Sequence, residues 1–172
     1  IPKPMLITKK DIEKYREVSR NVADKKINPH IEDAQFLDLR PLLGERMYQD
    51  LIKNATEANY LTLLVGGEYT YGDHTYYNPG LKKVLSIFAY SRYIVFGSYT
   101  DTGFGLVQKS NQDSTPVAES SKRNIHTRDR DTAMQYWYEV VNFLNRKSND
   151  YPLWTSGCKT SRPGKLRISK IS

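Results

Sequence analysis

Residues 78–96, NPGLKKVLSIFAYSRYIVF, decide the fold. Leu81, Val84, Leu85, Phe88, Ala89, Arg92, Tyr93, Val95 and Phe96 give nearly continuous apolar character, which predicts a helix covered on most of its circumference. Asn78-Pro79 opens it, and fraying is expected from Gly97. A helix of that kind needs partners, and the flanking sequence supplies amphipathic ones. Lys25 to Arg40 sets Ile27, Ile31, Ala34, Phe36, Leu37 and Leu39 at three- and four-residue spacing, with Asn28-Pro29 as cap and first turn. Glu32, Asp33 and Asp38 then form a solvated acidic face. Pro41 disfavours helix at Arg40, Gly44 permits a tight turn, and helical periodicity resumes from Glu45 to Asn54 through Met47, Leu51 and Ile52.

Nearer the amino end, Thr8 with Asp11 three residues on is a helix-start signal, with Ile12 and Tyr15 on one face. Tyr60 to Val65 is a short apolar turn that stops at Gly66-Gly67. Ser120 to Arg146 predicts a last long helix. It is cationic at first, through Lys122, Arg123, Arg128 and Arg130, and apolar from Ala133 through Trp137 to Leu144, so burial is expected only in its second half. Leu153 and Trp154 are expected to pack back on the bundle.

Between the helices, Glu68 to Tyr77 reads as β-formers around a two-residue Gly72-Asp73 loop, a hairpin signal of the II′ kind. Beyond Gly157 the chain carries Lys159, Arg162, Lys165, Arg167 and Lys170 with no acid, and Leu166, Ile168 and Ile171 at the spacing of one side of an irregular strand. The expected fold is therefore mainly α: a small bundle of about four to five helices in one domain, residues 1–156. A β-hairpin projects from it at 67–78, and an extended basic C-terminal arm runs from 157 to 172.

Composition narrows the function. Of 172 residues 13 are Tyr, rings with a polar end that suit protein contact, and the formal charge of +7 favours anionic neighbours. One Cys and three His leave no disulfide framework and no zinc-ligand spacing. No apolar run is long enough for a membrane span, and the start, IPKPMLITKK, lacks a signal-peptide core, so synthesis in a reducing cytoplasm is expected. Gly103-Phe104-Gly105 lacks the context of a dinucleotide fingerprint, and no phosphate-loop motif is present. His30, His74 and His126 fall in separate elements. Cys158 has no neighbouring base that would make it a nucleophile. The acids Glu32, Asp33 and Asp38 suit a solvated helix face better than a divalent ion. Neither catalysis nor a cofactor nor a metal is expected.

Two features remain as interface candidates. The hairpin carries Tyr69, Tyr71, Tyr76 and Tyr77, and alternation sends rings to both faces; its plainer reading is a hairpin laid flat on its own bundle. The cations Lys122, Arg123, Arg128 and Arg130 form one basic group. Arg162, Lys165, Leu166, Arg167 and Ile168 form an arm that could add to a neighbour's sheet edge or stay a disordered tail.

Asp33-Ala34-Gln35, Phe36-Leu37-Asp38-Leu39-Arg40-Pro41-Leu42-Leu43-Gly44-Glu45, Gly66-Gly67 with the Tyr-rich hairpin, Gly80-Leu81-Lys82, Phe88-Ala89-Tyr90-Ser91-Arg92-Tyr93, Phe104-Gly105-Leu106-Val107-Gln108-Lys109 and Tyr151-Pro152-Leu153-Trp154 occur in this order. Over roughly residues 6–155 the string resembles head–tail connector proteins of tailed phages, closest to the ring proteins of crAss-like phages of Bacteroides-type hosts. The resemblance implies a mostly helical, non-enzymatic virion protein. Many copies, commonly twelve, would form a ring beneath the portal around the DNA exit channel, touching portal and further ring or tail proteins. The competing expectation is a nucleic-acid-binding module built on the basic helix start and arm. Against it, the cations are not interleaved with stacking aromatics and no RNA-binding or zinc-finger pattern is present. A channel lining would allow weak, sequence-indifferent contact with DNA under either reading.

Overall fold

A computed structural model describes residues 4–97, 99–103, 105–107 and 117–155. Its hub is the helix foreseen from the quoted stretch. Leu81, Val84, Leu85, Ile87, Phe88 and Ala89 are all buried on Leu81–Phe96, which we number α6 below. Each such large side chain taken from water contributes about 1.5–3 kcal/mol. Two serines share this interior. Ser91 donates to the carbonyl of Phe88 at 2.8 Å, whereas the Ser86 hydroxyl finds no hydrogen-bond partner among the described residues. The helix begins after Gly80 and not at Asn78-Pro79: the Asn78 side chain accepts the Gly80 N–H at 3.1 Å, which makes Asn-Pro-Gly a turn that feeds the helix.

In chain order, α1 is Lys9–Glu13, α2 Asp24–Asp33, α3 Arg40–Leu43, α4 Glu45–Lys53 and α5 Ala58–Val65. Strands β1, Gly67–Tyr71, and β2, His74–Asn78, precede α6; β3, Thr100–Thr102, β4, Gly105–Val107, and α7, Glu119–Arg146, follow it. Thr8 caps α1 as expected, its N–H donating to the Asp11 carboxylate at 3.0 Å. The broadest contact of α6 is with α7, and α1, α2 and α5 cover its other sides. The protein is thus mainly α-helical, with a two-stranded antiparallel hairpin.

Residues 24–43 depart most from the sequence expectation. The helix starts at Asp24 behind Ala23, so Asn28-Pro29 is neither cap nor first turn, and Pro29 sits inside it. Arg40 is helical despite Pro41, because Ala34–Leu39 forms a π-helix in which the Arg40 N–H reaches the Gln35 carbonyl five residues back. The wider turn changes the register at which Pro41 enters the next turn. It also shifts the phase of the buried face. Ala34, Gln35, Asp38 and Leu39 point inward while Phe36 and Leu37 are exposed, the reverse of the regular amphipathic assignment for Phe36, Leu37 and Asp38. Gly44, at φ +81°, then turns the chain into α4.

The hairpin pairs Tyr69 with Tyr76 and Tyr71 with His74 around Gly72-Asp73. Gly72 has a positive φ and Asp73 does not, the pattern of the expected turn. At its base Gly66 and Gly80 let the end of α5 and the start of α6 pass with backbone against backbone; a Cβ on Gly80 would stand 2.6 Å from the Val65 carbonyl carbon. After α7, Tyr151 and Trp154 return to the core, Trp154 edge-on to Trp137, but Leu153 stays exposed. The expected arm 157–172, with Arg162, Lys165, Leu166, Arg167 and Ile168, lies outside the described residues, as does most of the connection before α7.

Candidate functional site

Strand alternation puts Tyr69, Tyr71 and Tyr76 on one face of the hairpin and Tyr77 on the other. Tyr69 and Tyr76 face the bundle and stack across the strands at 5.7 Å between ring centroids. Tyr69 meets Phe143 of α7 edge-on at 4.9 Å, and its hydroxyl accepts a hydrogen bond from Arg146 Nη1 at 2.8 Å. The same guanidinium lies 3.7 Å above the Tyr76 ring. Tyr71 shares that face but sits nearer the tip, paired with His74, and is 51% exposed. Tyr77, on the outer face opposite Glu68, is 64% exposed. Two rings therefore brace the hairpin and two are presented outward. Leu61 and Val65, one helical turn apart on α5 just before the hairpin, are exposed as well.

The basic start of α7 divides in the same way. Lys122 is buried, with its ammonium 2.8 Å from Glu119 and near the Tyr99 ring. Arg130 donates to Asp38 at 2.9 Å and lies over the Phe88 ring. Arg123 and Arg128 are exposed. Burial thus reaches into the first half of α7, contrary to the expectation, and includes Asp129, which accepts from Arg16 at 3.0 Å.

Asp38, expected on a solvated face, is buried and takes a fork from Arg92, Nε at 2.7 Å and Nη2 at 3.0 Å. With Arg130 this ties the π-helix to α6 and α7. The hydrogen bond that Arg92 donates to Asp38, ahead of an opposing effect of burial, raises the affinity of Arg92 for its proton. Arg92 was within reach of sequence reasoning: a guanidinium amid apolar helix residues needs a buried acceptor. Arg146 and Gln35 gave no such signal.

Around the exposed Phe36 lie two adjoining hollows of about 150 and 140 Å³. Met5, Glu32 and Asp33 line the first, Pro4, Gln49 and Ile52 the second, and Gln35, Phe36 and Tyr48 both. Gln35 forms their floor with its amide occupied: it accepts from Leu6 N at 2.9 Å and donates to the Pro4 carbonyl at 3.0 Å. The Arg40 guanidinium stands 4.0 Å from the Phe36 centroid and is paired with Glu45 at 3.3 Å. Glu32 and Asp33 enter no ion pair among the described residues.

The three histidines stay apart: His30 against Tyr93, His74 against Tyr76, and His126 with Nδ1 2.8 Å from the Ser91 carbonyl. Burial holds His30 below the usual imidazole range, with Asp33 opposing and Arg92 reinforcing that shift. Among the described residues no group of three or more His, Cys, Asp or Glu is placed to hold a metal ion, and no helix is long and apolar enough to cross a membrane.

A family model, described as Family of unknown function (DUF6712), matches residues 39–164. No curated protein and no solved structure matches the chain.

Proposed function

We propose that this chain, which belongs to the DUF6712 family, is a structural, non-enzymatic subunit of a tailed-phage virion that joins head to tail as one member of a ring around the DNA channel. The observation that carries this reading is the braced hairpin. Tyr69 and Tyr76 are held onto α7 through Phe143 and Arg146, so the exposed Tyr71 and Tyr77 sit on a hairpin anchored to the bundle. Rings held in place before contact lose little conformational freedom on binding, which is what an assembly surface requires. The ordered motif string that resembles connector ring proteins supports the same reading. A heterologous ring subunit must present two different surfaces. The hairpin with Leu61 and Val65 offers an apolar one, and Arg123 and Arg128 a cationic one.

Exposed Arg123 and Arg128 also favour a second reading, a nucleic-acid-binding module. The two differ in what the free subunit does. A ring subunit assembles and touches duplex DNA only weakly, whereas a binding module takes up DNA as a single chain with a steep salt slope. Titrating labelled duplex into the full chain at several salt concentrations, with the particle mass followed in parallel, separates them. Assembly with negligible affinity supports the ring; tight, salt-steep binding by a monomer overturns it.

A further inference from the structure

We propose that the acid-rimmed groove around Phe36 receives the basic segment 157–172 of a second copy of this chain, Leu166 and Ile168 entering the two hollows and the flanking cations meeting Glu32 and Asp33. The proposal rests on the ring-subunit reading for the presence of a neighbour.

Shape and charge argue for this occupant. Each hollow is of the size that accepts one benzene-scale apolar group. They adjoin across Phe36 and Tyr48, and an extended segment places alternate residues on one side roughly 6–7 Å apart. Leu166 and Ile168 have that spacing. The floor is already satisfied by its own chain, since Gln35 holds Leu6 and Pro4, and Met5, Phe36, Tyr48, Pro4 and Ile52 supply the apolar part of the walls. Among the described residues the rim carboxylates Glu32 and Asp33 enter no ion pair, Arg92 acts on Asp33 only through space, and Arg40 beside Phe36 is paired with Glu45. The segment from 157 to 172 has five cations and no acid. Lys and Arg reach such carboxylates on long stems while neighbouring aliphatics are buried.

Trp154 is fixed at the far end of α7 by its indole hydrogen bond to Asn145 at 2.8 Å. The eleven residues from Thr155 to Leu166 span up to roughly 36–40 Å when extended.

The full chain has one cysteine, Cys158, which permits a directed cross-link. Two Cys158→Ser preparations are mixed under mild oxidation, one carrying Gln49→Cys in the exposed wall of the second hollow and the other Ser169→Cys. A disulfide-linked heterodimer is expected. Its yield should fall strongly when Glu32→Lys and Asp33→Lys are added, and a control with Asn124→Cys in place of Gln49→Cys should give only background. Equal yields at positions 49 and 124 overturn the proposal. So does a single chain carrying both cysteines that closes only on itself. The mass of the same mixture, reduced, separates the two levels of the account: rings without the 49–169 disulfide sink the arm and leave the ring standing, whereas a monomer without the disulfide sinks both.

Discussion

Asp38 and Arg92, 54 positions apart, form a two-bond fork at 2.7 and 3.0 Å that fastens the π-helix to the central helix. Both are largely buried, so salt screens the pair weakly. Arg130 completes the cluster from a more exposed position.

Asp38→Ala leaves Arg92 buried without its acceptor and is expected to cost about 3 kcal/mol. Arg130→Ala should cost about 1 kcal/mol or less, because that guanidinium keeps access to water. Urea unfolding of the two variants measures the difference. Equal losses would contradict the assignment of Arg92 as the main partner.

Gly66→Ala and Gly80→Ala should each be severe. Both positions combine a positive φ with backbone atoms where a Cβ would stand, so strain of about 1–3 kcal/mol adds to a steric clash. Gly72→Ala shares the positive φ but meets open space, and it should cost about 1 kcal/mol. Melting temperatures in the order Gly72→Ala above the other two are expected.

Much of this architecture was legible from residues alone, for reasons visible in particular elements. The helix 81–96 is apolar on nearly every side, so no error of phase could hide it, and Gly72-Asp73 between β-formers fixes a hairpin by local chemistry. The π-helix at 34–39 was not legible. It depends on partners far along the chain, Arg92 and Arg130 for Asp38 and Leu6 for Gln35. A regular period assumed across it therefore put Phe36 and Leu37 inside and Asp38 outside. At the candidate surface, alternation sets Tyr77 apart from the other three tyrosines, but which face the bundle covers, and that it stops short of Tyr71, depends on Phe143 and Arg146 from α7.

That division yields a further expectation. Tyr69→Ala removes the ring from Phe143 and should destabilise the isolated chain by about 2 kcal/mol. Tyr71→Ser and Tyr77→Ser, at exposed positions, should stay within about 0.5 kcal/mol of the parent while lowering assembly. Thermal melts paired with particle mass test this. Loss of stability from the outer pair would show that they belong to the core.

Stability should fall at both ends of the pH range through separate groups. Burial pushes the Asp11 carboxyl up, but hydrogen bonds from Thr8 and Lys14 and the charge of Lys82 outweigh it and hold it below 3.8. Its contribution is complete above pH 3.8 and disappears as pH falls through the lower folded value. Burial, with Asp150 adding to it, pushes the Tyr151 hydroxyl up to about 12 from 10.0. That contribution is complete below pH 10.0 and disappears as pH rises through about 12. Asp11→Asn should flatten the acid limb of melting temperature against pH, and Tyr151→Phe the alkaline limb. Unchanged limbs would contradict these assignments.

The proposed ring is tested most directly by the mass and symmetry of the purified chain, imaged in negative stain and weighed natively over a range of concentrations, with and without a tailed-phage portal protein. The account predicts closed particles with rotational symmetry, or stacking of the chain on the portal. A single 19.9 kDa species at every concentration that ignores the portal would contradict it.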